Sequence, residues 1–172
     1  MENNVLSEKS ATTKGYMTPK EFLAHWQGHR SLTRRVIDAF PEDQLFSFSI
    51  GGMRPFSDLA KEFTTMGVPS LHGMITGEWK GLDVLAPAGV KANPETKEEL
   101  LALWDALTVR ITELFNKIPE ADFHKQISLF NQYDGEIYSL LLYIVDNEIH
   151  HRGQGYVYLR ALNIEPPYFY ER

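Results

Sequence analysis

Two polar residues, Asn147 and His151, interrupt an otherwise apolar line in the last long helical stretch of the sequence. The line reads Leu140, Ile144, Asn147, His151, Tyr158 and Leu162, a spacing that keeps its members near one helix face. A buried polar group without a partner costs about 1–3 kcal/mol, so something must satisfy these two. Other side chains or a buried water would serve, and so would a metal ion, because residues at i and i+4 can share one. Glu62 is the natural third member. It lies close to the stripe of Leu59, Phe63 and Met66 on an earlier helix, where a carboxylate needs a cation, a donor or access to water. Glu62, Asn147 and His151 are therefore the candidate metal ligands, with an internally satisfied polar network as the alternative. His25 and His29 also have i, i+4 ligand spacing, but they lack the Glu of the His-Glu-x-x-His motif, and one of them must leave the Phe22/Trp26 face. His72 and His124, in or beside expected turns, receive no role. The sequence contains no phosphate-binding glycine loop and no Gly-x-Ser-x-Gly elbow.

Four helical patterns must position these residues. The first opens with Thr18 as N-cap, Pro19 and the capping-box residue Glu21, and it stops at about Phe40 before Pro41. The second starts near residues 55–57, and a kink or break is expected at Pro69. A Gly- and Pro-rich connection over 81–94 follows. A second capping box, Thr96 with Glu99, begins the third helix, which Pro119 closes. Residues 123–134 read as loop or a short extended piece. The last helix runs from about Glu136 to Leu162, with Asn163 suited to the left-handed turn beyond it. The expectation is one all-α domain over 18–172, a four-helix bundle with a long connection between helices two and three, preceded by a loose arm over 1–17.

Composition narrows the functions. The chain has 172 residues, 43% hydrophobic and 23% charged, which suits one globular domain. With no cysteine it can form neither disulfides nor thiolate metal sites, and it has no cysteine nucleophile. A net charge of −6 gives no basic footprint for nucleic acid, and none is expected as a partner. No apolar run reaches membrane-spanning length, and the polar first 14 residues lack the apolar stretch of a signal peptide, so a cytoplasmic location is expected.

The segment Asn147-Glu-Ile-His-His-Arg-Gly-Gln154, followed by Tyr158-Leu-Arg-Ala161 and Pro166-Pro167, resembles the end of the DinB/YfiT-like superfamily. The likeness extends back to Phe22-Leu-Ala-His-Trp26 with Arg30, to Ala39-Phe-Pro41 and to Met53-Arg-Pro-Phe-Ser-Asp-Leu59. It implies a four-helix bundle, often a homodimer, with three histidines holding a divalent metal: one from helix two and two from the last helix. Here His151 matches the final ligand, Asn147 stands at the preceding one, and Glu62 aligns with the helix-two position. The resemblance implies one zinc, nickel or manganese ion, and this Glu/Asn/His set leans toward the harder ions. It also implies a metal-dependent enzyme acting on a small-molecule substrate or thiol, in the manner of relatives that transfer thiol cofactors. The alternative is a non-catalytic bundle that binds a small ligand or partner and has lost the metal.

Overall fold

The computed structural model describes residues 16–172, so the expected arm over 1–17 lies outside the described residues except for the exposed Tyr16 and Met17. Helix α1 spans Pro19–Ala39. Its capping box is formed: the Glu21 amide donates to Thr18 Oγ1 and the Thr18 amide to the Glu21 carboxylate, satisfying two donors that a helix start leaves orphaned. Beyond Pro41 a short helix, α2 (Glu42–Ser47), buries only Leu45 and is too brief to announce itself by periodicity.

Helix α3 runs from Phe56 to Thr76 without the break expected at Pro69. The ring removes one backbone donor, but Val68, Pro69, Ser70 and Leu71 are all buried, and packing on both sides of the proline holds the helix together. Gly77, at φ +75°, ends it in the left-handed region. A single turn, α4 (Leu82–Leu85), lies within the connection to α5 (Lys97–Phe115), which begins at its own Thr96/Glu99 capping box.

The all-α expectation requires one correction. After a 3₁₀ turn at Glu120–His124, strands β1 (Gln126–Leu129) and β2 (Tyr133–Glu136) form an antiparallel hairpin, Ile127 facing Gly135 and Leu129 facing Tyr133. Phe130 and Asn131 turn it with positive φ. Its four-residue strands carry little alternation, which is why the sequence reads only as loop or short extension. Helix α6 (Ile137–Ala161) follows directly, and Asn163 leaves it at φ +60°.

The fold is mostly helical. Helices α1 and α3 each pack against both α5 and α6 and touch each other only slightly, so they stand diagonally opposite. Gly155 allows α6 to approach α3: a Cβ there would overlap the Phe56 ring. One apolar cluster gathers Trp26, Leu71, Ile111 and Val145, and the other gathers Phe40, Phe56, Trp104 and Leu159. On α1 and α6 the residues between these clusters, 29–33 and 147–152, are largely polar, and they form the belt in which the candidate site lies.

Candidate functional site

Successive residues on a helix are turned about 100° from one another, so the polar residues of α6 divide between two neighbours. Asn147 and His151 face α3, while Glu148 and Arg152 face α1. On the α3 side Glu62 Oε1 lies 3.1 Å from Asn147 Nδ2, which donates to it, and 3.4 Å from His151 Nε2. Arg54, in the loop before α3, donates from Nη2 to Glu62 Oε2 at 2.6 Å. The loop is itself pinned, because the buried Tyr158 hydroxyl donates to the Arg54 carbonyl at 3.0 Å. The Phe63 ring lies against the His151 imidazole, with centroids 6.1 Å apart.

Glu62 and His151 are half-buried, their side chains 26% and 16% exposed. Burial alone would raise the Glu62 pKa. The hydrogen bonds from Arg54 and Asn147, with the nearby charges of Arg54 and His151, outweigh it and hold the carboxyl below its ordinary range. Two atoms of the group, Asn147 Oδ1 and His151 Nδ1, are buried without any hydrogen-bond partner.

The α1 side of the belt is sealed. Thr33 Oγ1 donates to Glu148 Oε1 at 2.5 Å and accepts from Arg152 Nη1 at 3.0 Å. Arg30 and Arg152 approach the same carboxylate at 3.9 and 3.8 Å. The Arg30 guanidinium carbon lies over the Trp104 ring, 3.8 Å from its centroid, and Arg30 donates to Thr108 Oγ1 and to the Trp104 carbonyl. Burial pushes the Glu148 pKa up against the pull of Arg30, Thr33 and Arg152, and it lowers that of Arg30 to about 10.

His25 and His29 meet with their Nε2 atoms 3.2 Å apart, yet the arrangement opposes metal binding. Arginine donors face both ring nitrogens of His29, Arg152 Nη2 at Nδ1 and Arg172 Nη1 at Nε2, each 3.0 Å away, so neither nitrogen is open to a cation. A ligating imidazole needs one bare nitrogen with no cation beside it and the other N–H donating outward. Burial, with Arg152, His25 and Arg172 nearby, lowers the His29 pKa to about 3. His72 lies within α3 rather than in a turn, and His124 pairs with Glu136 at 2.8 Å beside the hairpin. Among the described residues no three His, Cys, Asp or Glu side chains gather as a metal group, and the Glu62 cluster reaches three only by counting the amide of Asn147.

Arg54, Glu148 and Arg152 were not singled out by type or spacing. The last two were legible in principle. Leu141, Val145, Glu148, Arg152, Gly155 and Leu159 repeat at spacings of four and three, and all are buried. Arg54 sits in a loop, where periodicity carries no signal.

The DinB family model matches residues 132–172, a stretch that contains Asn147 and His151 but not Glu62. Solved structures extend the likeness along the chain. A DinB-like protein from Bacillus subtilis superposes with a TM-score of 0.69 at 18% identity, over 88% of this chain and 99% of its own. This is a DinB-like fold. A second DinB-like protein, from Bacillus cereus ATCC 10987, superposes with a TM-score of 0.70 at 17% identity, over 91% of this chain and 100% of its own. No curated protein matches the chain in sequence. In this DinB-like frame the sequence match covers α6 but not α1, α3 or α5, and the place of Glu62 beside α6 rests on the geometry. No helix among the described residues is long and apolar enough to cross a membrane.

Proposed function

We propose that Glu62, Asn147 and His151 hold one divalent cation and that the chain is a metal-dependent enzyme acting on a small molecule. The supporting observation is the convergence of three donor side chains from two helices, with Asn147 Oδ1 left buried and unpartnered beside them. Turning the Asn147 amide over would aim that oxygen where its nitrogen now points. Glu62 Oε1, Asn147 Oδ1 and His151 Nε2 would then be the ligands, a set that fits hard or borderline ions such as manganese better than zinc.

A bound cation would lower the pKa of a water or thiol beside it. The residues of the chain prepare the place. Arg54 keeps Glu62 ionised, Phe63 backs the His151 ring, and Tyr158 fixes the loop that carries Arg54. Elemental analysis after loading with Mn²⁺ tests the reading. Near one ion per chain, lost in both Glu62→Gln and His151→Ala with the helical content unchanged, is expected; equal metal in wild type and variants would refute it.

A second reading rests on the short Arg54–Glu62 contact, which already neutralises the carboxylate. On that reading the cluster is a closed network in a bundle that binds a ligand or partner without catalysis. Saturable ligand binding indifferent to a chelator would select it. A cytoplasmic homodimer belongs to the same proposal, with the exposed Tyr138, Leu142 and Ile149 of α6 as its contact; a monomer by sedimentation would remove that part.

A further inference from the structure

The charges of the Glu62 cluster carry one consequence about the substrate. Glu62 brings one negative charge and Arg54 one positive, and they lie in contact at 2.6 Å. The other two members are an amide and an imidazole, and a ligating imidazole is neutral. Without metal the group is balanced. A divalent cation on Glu62 Oε1 would leave it two positive charges in excess, in a place only partly open to water. Such an excess costs free energy unless an anion joins it.

Arg54 is built to receive that anion. Its side chain is 51% exposed, while its backbone is anchored by Tyr158 from α6. A single donor, Nη2, is engaged with Glu62, which leaves others of the planar fork free. Such a fork matches the paired oxygens of a carboxylate or phosphate. Resting on the metal reading above, we infer that the substrate of this site is a small anion, and that Arg54 is its specificity-determining residue. Arg54 neutralises Glu62 in the metal-free protein. When the cation takes Glu62, Arg54 turns its donors to the oxyanion group of the substrate.

The test uses the whole chain and simple probes. Mn²⁺ alone is titrated first into wild type, Arg54→Gln and Arg54→Lys. Inorganic phosphate and, separately, acetate are then titrated into each Mn²⁺-loaded protein, and the two arms distinguish a phosphate from a carboxylate preference. Arg54→Gln should bind Mn²⁺ at least as tightly as wild type, because a competing cation is gone. It should bind the preferred anion at least about tenfold more weakly, the loss expected for one charge-assisted hydrogen bond. Arg54→Lys, which keeps the charge without the fork, should recover part of the anion affinity. Mn²⁺ binding with no anion binding, or with equal anion affinity in wild type and Arg54→Gln, would overturn the inference and leave the metal site standing. Absence of Mn²⁺ binding in wild type would overturn both.

Discussion

Asn147 and Glu148 are neighbours in sequence, as are His151 and Arg152, yet each pair divides between two different environments. Glu148 and Arg152 turn toward α1 into a cluster closed to solvent, their side chains 3% and 6% exposed. Thr33, Arg30 and His29 meet them there. Asn147 and His151 turn toward α3 and meet a half-buried carboxylate, a loop arginine open to water and two unpartnered polar atoms of their own. A closed network whose charges are met by opposite charges and hydrogen bonds fixes the register of helices, whereas an open one with atoms to spare can take a ligand. The same stretch of α6 serves both purposes because a single residue step rotates it from one neighbour to the other.

The largest effect should come from the sealed side. Glu148→Ala leaves Arg30 and Arg152 buried around an empty carboxylate position, and removing one partner of a buried ion pair costs about 3–5 kcal/mol. Chemical denaturation would show it as a fall in midpoint with an unchanged slope; a loss as small as that of a surface variant would show that the cluster is not as closed as described.

An effect of intermediate size should appear at mildly acidic pH. The His29 pKa falls from 6.5 to about 3 on folding, so between these values the unfolded chain binds the extra proton. Stability contributed by neutral His29 is therefore complete above about pH 6.5 and is lost as pH falls toward 3, by at most about 1.4 kcal/mol per pH unit. His29→Gln should remove this slope from a series of urea unfolding curves. The contribution of Glu148, present in both proteins, largely drops out of the difference. Parallel stability profiles would count against a neutral, buried His29.

The smallest effect belongs to the open side. Glu62→Gln, in metal-free protein, disturbs a half-exposed pair with Arg54, and such pairs are worth about 0–1 kcal/mol. A loss of stability matching that of Glu148→Ala would erase the distinction between the two clusters.

Much of this arrangement was legible in the sequence. Both capping boxes fix their helix starts through local hydrogen bonds, and the stripe through Leu140, Ile144, Asn147 and His151 marks one inward face of α6. The second inward face was obscured because Glu148 and Arg152 look like solvent-exposed charges until Arg30 and Thr33 are seen opposite them. That pairing spans more than a hundred residues, and no local pattern encodes it. Pro69 misled for a related reason: the helix survives its missing donor through tertiary packing, which local propensity does not see. The hairpin and α2 were too short to show a period, and Arg54 lies where no period exists.

The most direct measurement is an electron paramagnetic resonance titration of Mn²⁺ into wild type, His151→Ala and Arg152→Met. The assignment of α6 residues to one open and one sealed cluster predicts about one bound ion per chain in wild type, no saturable binding in His151→Ala, and binding retained in Arg152→Met wherever that variant folds. Binding unaffected by His151→Ala, or none in wild type, would contradict it.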